Sequence, residues 1–302
     1  PAPAFAGPDH IPFLSWTKET YVDNDEERII STIMTARPAE DGIGNCGPMI
    51  DNTNLSEGIS FNFDENAANL DTTSLMAIYN SADHFSTGWV YQVNEPSTLT
   101  PLRIELTLAQ WNPLGGLITA VRIPLLALSP GQKVATQLDD DEEESGVLSL
   151  AFDSAGNPHA VVMLTDTVSG EEELVYIHPG ENDGSCDIAT NFHCTTIVTG
   201  ESLGVFPVIK LTAADQPLIV YYDALAVSAN LAYPQPDPEL MPNCGTPADP
   251  WRCIEIIRQT EDLFTIGDRP GLAVGVAKSY IAFVEEAWGG TETALHIAEY
   301  VG

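Results

Sequence analysis

Carboxylates dominate the side chains able to do chemistry here: Asp and Glu number 44, Lys and Arg only 11, in a chain of 302 residues. Many fall in short loops between strand-like runs. One set is Asn80 with Asp83, Asp166, Asp223, and Glu285 with Glu286; another is Glu57, residues 139–144 (DDDEEE), Glu201 and Asp268. Converging carboxylates and carbonyls suit a hard cation such as Ca²⁺, which takes six to eight oxygens. On that reading Asp83, Asp166, Asp223 and Glu285 are the candidate metal ligands. A glycan-acting enzyme would instead draw on Asp166, Asp223 and Glu285 for a pair about 5–10 Å apart flanking a sugar. The plainer reading is solvated decoration, because turns favour Asp and an acidic chain puts carboxylates in most loops. Residues 139–144 read as a self-repelling, mobile loop. The segment 181–187 (ENDGSCD) lacks the spacing and terminal Glu of an EF-hand.

Five cysteines bear on the compartment. Cys186 with Cys194 and Cys244 with Cys253 are close pairs in segments rich in Gly, Pro, Asn and Asp. A short covalent loop would tie down poorly packed chain there, so both pairs are expected as disulfides. That places the protein outside the cytosol: extracellular, at the cell surface, or periplasmic. Metal binding is the rival, but neither pair has the two-residue gap of a zinc knuckle, and His193 alone does not complete a site. Cys46 is left over. The chain opens on Pro1 without a charged-then-apolar leader, which reads as a processed form or an excerpt of a longer product.

Nucleophile signatures are missing: no Gly-x-Ser-x-Gly, no His-Glu-x-x-His, no phosphate-binding Gly-rich loop with Lys, no haem Cys-x-x-Cys-His. The six histidines, His10, His84, His159, His178, His193 and His296, read as scattered surface or rim residues. Trp111 and Trp251 are candidate platforms for stacking a sugar. With so few basic side chains no patch can neutralise several phosphates, which excludes nucleic acid as a partner and disfavours anionic membranes. No run of about 18 apolar residues occurs, so no membrane span is expected.

A repeat organises the elements that must position these groups. The segment 146–166 reads as two strands around the turn Asp153-Ser-Ala-Gly-Asn-Pro158, the second strand a buried run. The plan recurs at 205–223, where Pro217 matches Pro158, at 271–285 with a tighter turn, and in divergent form at 58–80. Third strands begin at Trp89, Leu174, Leu231 and Leu295, at 10, 10, 9 and 11 residues from Tyr79, Leu164, Tyr222 and Val284. A fourth strand is read at 102–109, 195–199 and 253–259. Four antiparallel strands per unit, with units about 60 residues apart, are the signature of a propeller blade.

The fold class is therefore all-β: a β-propeller of about five four-stranded blades, with four to six allowed and two β-sandwiches as the alternative. Residues 1–15 are an N-terminal tail and 16–302 one propeller domain. Clear repeats lie at 58–110, 146–200, 205–260 and 271–302, and 111–145 is a degenerate blade or an insertion. Residues 16–22 (WTKETYV) are expected to close the ring by pairing beside 295–300 and covering the open edge.

The turn Asp153-x-x-Gly156-x-Pro158 and the apolar run after it resemble those of secreted bacterial β-propellers of the sialidase-like and related repeat families. The resemblance covers 146–302 and, loosely, 58–93. It implies the propeller fold. It does not carry the sialidase activity: no blade has the Ser-x-Asp-x-Gly box followed by an aromatic, and no three arginines stand out to clamp a carboxylate.

Two function classes follow. The first is a non-catalytic extracellular propeller acting as a binding, scaffold or assembly subunit, its acidic face gathering Ca²⁺ or a basic partner protein. The second is a glycan-acting hydrolase or lyase with carboxylates in a central funnel, for which the partner is a glycan. No catalytic residue is assigned.

Overall fold

The computed structural model describes residues 2–6, 11–21, 29–36, 55–56, 68–81, 84–95, 98, 100–111, 117–135, 137–139, 142–144, 148–181, 183–188, 191–201, 203, 206–235, 237, 239, 241–258, 264–266, 270–287 and 293–301. They are strands, turns and bends, with no α-helix among them. Accordingly, among the described residues no helix is long and apolar enough to cross a membrane. Cys46, Glu57, Asp83, Asp268 and the first strand expected near residue 58 lie outside the described residues. The chain divides into two compact units, residues 1–124 and 125–302.

The first unit carries two antiparallel meanders. One runs β1 (Ala2–Ala6), β2 (Ile11–Tyr21), β3 (Ile29–Ala36), β4 (Leu55–Ser56) in chain order. The other runs β5 (Ala68–Ser81), β6 (His84–Asn94), β7 (Pro101–Trp111), β8 (Leu117–Ala127), the division between units falling near the end of β8. Trp89, Val90 and Tyr91 of β6 and Ile104 and Leu106 of β7 are buried.

Three expectations change here. Residues 2–6 and 11–15 pair with each other as strands where a tail was expected. The strand expected to close the ring is an inner strand of its own sheet, pairing with β1 through Ile11–Ser15 and with β3 through Leu14–Tyr21. Partners a few residues away cost far less loop-closure entropy than one at the other end of the chain. Finally, the fifth sheet is this N-terminal one. The segment 111–145 supplies β8 as the fourth strand of the β5–β8 sheet instead of a separate blade.

The second unit begins with β9 (Gln132–Val134) and a two-stranded ladder of β10 (Gln137–Asp139) and β11 (Glu142–Glu144). Of the acidic run expected as a mobile loop, Asp139 pairs with Glu142, and Glu143 and Glu144 pair with Leu138 and Gln137. Its first large sheet follows as β12 (Leu148–Phe152), β13 (Pro158–Asp166), β14 (Glu171–Pro179) and β15 (Phe192–Glu201), with β9 added beside β13. The next contains β16 (Val208–Leu211), β17 (Pro217–Asp223), β18 (Ser228–Pro234), β19 (Cys244–Gly245) and β20 (Pro250–Arg258). The last is β21 (Phe264–Ile266), β22 (Gly271–Val274), β23 (Ser279–Ala287) and β24 (Thr293–Tyr300). Among the described residues, five blade-type sheets are therefore present, each pairing strands near in sequence, without the Greek-key returns of a β-sandwich. The chain is all-β and built on the propeller-blade plan.

The repeat extends down to its turns. Asp153 Oδ1 accepts from the amides of Ala155 and Asn157, and Thr212 Oγ1 accepts from those of Ala214 and Gln216. The third turn position is left-handed in both, Gly156 at φ 83° and Asp215 at φ 57°. Asp is among the few non-glycine residues that tolerate this region, which is why a Gly can be replaced there. Both third strands also slip by one residue against their fourth at the matching step, Leu174/Val175 and Ala229/Asn230. Such a bulge adds local twist.

Neighbouring sheets of this unit pack face to face. Leu218, Val220 and Leu231 of the β16–β20 sheet meet Leu272 and Ile281 of the β21–β24 sheet. Ser154 donates through its amide and hydroxyl to Asp215, tying the first hairpin turn to the second.

Candidate functional site

In an antiparallel meander the start of the second strand, the end of the third and the start of the fourth share one end of the sheet. His159, His178 and His193 hold those positions in the β12–β15 sheet. His178 pairs directly with His193, and His159 lies one step beyond the Ala160–Ile177 pair. The three imidazoles thus form a cross-strand row, His159 to His178 at 6.1 Å and His178 to His193 at 5.2 Å between ring centroids. Tyr176, two residues before His178 and so on the same face, stacks on His178 at 4.9 Å. Trp251 of β20 meets Tyr176 edge-on at 5.3 Å. Only 3% of Trp251 is exposed, so it is a packing residue between sheets and not a sugar platform.

The three rings sit in different electrostatic settings. Asp153 lies 3.7 Å from His159 Nε2, which puts the ring proton there and leaves Nδ1 to accept from the Tyr176 hydroxyl at 2.6 Å. Burial holds His159 below the ordinary histidine range, against the pull of Asp153. His178 donates from Nδ1 to the Pro179 carbonyl, and burial lowers it too, with His193 adding to the effect. His193 is the opposite case. Its Nδ1 meets Asp183 at 2.6 Å and its Nε2 meets Asp249 at 2.9 Å. Burial opposes the charged ring, but the hydrogen bonds to Asp249 and Asp183 and their charges outweigh it and raise His193. Asp183 is in turn pulled down to about 2 by the Ser185 hydroxyl and amide, then by His193.

Ser185, His193 and Asp249 have the residue types of a hydrolase triad, with Ser185 Oγ 3.3 Å from His193 Nδ1. The proton inventory rules against it. Nδ1 is committed to Asp183, Nε2 to Asp249, and Ser185 Oγ accepts the Cys194 amide at 2.9 Å. An imidazole donating from both nitrogens has no lone pair to take a serine proton. Nor do Asp183 and Asp249 form a glycosidase pair, since the His193 ring occupies the space between them where a sugar would sit. The row is not a metal centre either: among the described residues no group of three or more His, Cys, Asp or Glu is disposed to hold an ion.

The site is framed by covalent bonds. Cys186–Cys194 and Cys244–Cys253 are disulfides, as their spacing suggested, with Cα atoms 5.1 and 5.9 Å apart. Disulfides persist in oxidising compartments.

The carboxylates singled out from the sequence go elsewhere. Asp166 accepts from the amides of Val168 and Ser169, which lower its carboxyl, and Asp223 accepts from the amide of Ala226. Both shape the turns after their strands. Glu285 accepts from His296 Nε2 at 2.6 Å. Each is engaged within its own sheet, and Asp83 lies outside the described residues. The first unit adds a buried carboxylate that no motif announces: Glu105 accepts from the Tyr91 hydroxyl at 2.8 Å and from two nitrogens of Arg103. No single histidine signals the imidazole row, because only the register of the meander sets residues 15 to 19 apart in sequence side by side. Nothing in composition marks Glu105.

No protein-family model matches this chain, and no curated protein matches it. Among solved structures, an exo-1,5-α-L-arabinanase from a bovine ruminal metagenomic library is similar over 98% of this chain and 91% of its own, at a TM-score of 0.37 and 10% identity. An exo-β-1,3-galactanase from Clostridium thermocellum is similar at a TM-score of 0.36 and 11% identity, over 98% of this chain and 58% of its own. Likenesses this distant fix neither activity nor substrate.

Proposed function

We propose that this is an exported binding or assembly protein that receives an extended segment of a basic partner along β24. One observation carries the reading. The third strands of the two preceding sheets are sealed by a fourth, and Leu174 and Leu231 within them are fully buried. The last sheet has a third strand of the same rank, yet among the described residues β24 pairs with β23 alone. Its alternate residues Leu295 and Ile297 are 68% and 64% exposed, and Val301 just beyond is 63% exposed. An edge of this kind is a template for strand addition, with main-chain hydrogen bonds giving affinity and apolar side chains giving register. The excess of 44 acidic over 11 basic residues favours a partner rich in Lys or Arg.

The test is a ten-residue peptide alternating Val and Lys, titrated against the oxidised protein by fluorescence anisotropy. Binding should exceed that of a scrambled peptide and be lost in the double variant Leu295→Lys, Ile297→Lys. Equal binding of both peptides, or binding that survives the double variant, would overturn the proposal.

The second reading is a glycan-acting hydrolase or lyase. Its support is that carboxylates stand at or near the ends of three corresponding strands, Asp166 on β13, Asp223 on β17 and Glu285 on β23. Release of reducing ends from arabinan or galactan, abolished by Asp166→Asn, Asp223→Asn or Glu285→Gln, would establish it in place of the first.

A further inference from the structure

His193 joins two covalently tied loops that belong to different sheets. It lies within the Cys186–Cys194 loop, whereas Asp249 lies within the Cys244–Cys253 loop. Asp183, on the other ring nitrogen, comes from the same connection as His193 and is itself braced by the Ser185 amide at 2.9 Å. A neutral imidazole has one N–H, and its second nitrogen is a lone-pair acceptor. Between two carboxylates that lone pair would face an anion at hydrogen-bond distance. The three-part contact therefore holds only while the ring carries both protons.

We infer that His193 is a proton-operated clasp between the β12–β15 sheet and the β16–β20 sheet, closed as the imidazolium and released on the Asp249 side when the proton leaves. Asp249 is the side that opens because its contact is the longer, 2.9 Å against 2.6 Å, and because it alone of the two spans separate sheets. This goes beyond the binding role above and does not depend on it.

The groups facing His193 are His178 from β14, Asp183 and Ser185 from the connection between β14 and β15, and Asp249 from the connection between β19 and β20. Next along the row is His159 on β13. Burial keeps His178 and His159 neutral at pH values where His193 is still charged, so neither contributes a step on the alkaline side. His193 is raised above its ordinary 6.5. The clasp is accordingly complete below that pH and is lost as pH climbs through the raised value.

Hydrogen exchange by mass spectrometry on the oxidised full chain tests the clasp, following residues 183–194 and 244–253 between pH 5.5 and 9. After division by the base-catalysed rate of an unstructured peptide, opening linked to one proton should rise by up to about tenfold per pH unit between the ordinary and the raised His193 values and level off above the raised one. His193→Gln should abolish this slope, and Asp249→Asn, which removes part of what raises His193, should make the rise smaller and level off at lower pH. The second variant keeps the test decisive should the first fail to fold. Ring nitrogen shifts from NMR should show two N–H groups on His193 below the transition. A corrected exchange rate independent of pH in the wild type, or a slope that persists in His193→Gln, would overturn the clasp.

Discussion

Leu231→Ala is the most direct probe of how the second unit is held together. Leu231 is fully buried in the middle of β18, in a cluster with Leu218, Val220, Leu272 and Ile281 that joins two sheets. Truncating a buried leucine costs about 2–5 kcal/mol, the upper part of the range applying where neighbours cannot close the cavity. β18 is fixed by β17 on one edge and β20 on the other, so the backbone cannot move inward. We expect a loss of about 3–4 kcal/mol, which for a unit of this size lowers Tm by roughly 6–16 °C. Leu295→Ala, on the third strand of the last sheet, should change stability by no more than about 0.5 kcal/mol, because its side chain is already in solvent. Differential scanning calorimetry of the oxidised protein gives both values, and hydrogen exchange over residues 217–234 assigns the loss to this core. A cost under about 1 kcal/mol for Leu231→Ala, or an equal cost for Leu295→Ala, would refute the packing of successive sheets through this cluster.

Two further outcomes are expected. Gly245 has φ +79°, and a Cβ there would run into the Asp249 carbonyl and come within 2.8 Å of the Trp251 ring, inside a loop already tied by Cys244–Cys253. Gly245→Ala should cost about 1–3 kcal/mol by thermal melting, and a neutral result would show that this loop is free to rearrange. Under limiting reductant, Cys244–Cys253 should open before Cys186–Cys194, because Cys186 is buried and an attacking thiolate must reach it. Alkylation and peptide mapping would read the order; early labelling of Cys186 and Cys194 contradicts it.

The alternation of apolar residues and the matched turns at Asp153 and Thr212 determine the strands and the repeat of the second unit without any help from tertiary structure. Period-two burial and turn capping are local properties, written within a few neighbouring residues. The two disulfides were legible for the same reason, each spanning a short stretch of polar, loop-forming chain. The N-terminal sheet was not, because residues 2–21 lack the hairpin signature of the repeat and declare themselves only by pairing. Neither was the imidazole row. Each histidine taken singly is a bland surface residue, and it takes the register of β13, β14 and β15 to set three of them side by side. The acidic residues show the converse. Their chemistry was visible in the composition, but Asp166 and Asp223 are spent on turn amides and Glu285 on His296. Whether a carboxylate serves a turn, a clasp or a ligand depends on which donors lie within about 3 Å of it: turn amides are local, but strand register brings in donors from neighbouring strands and sheet packing those from another sheet.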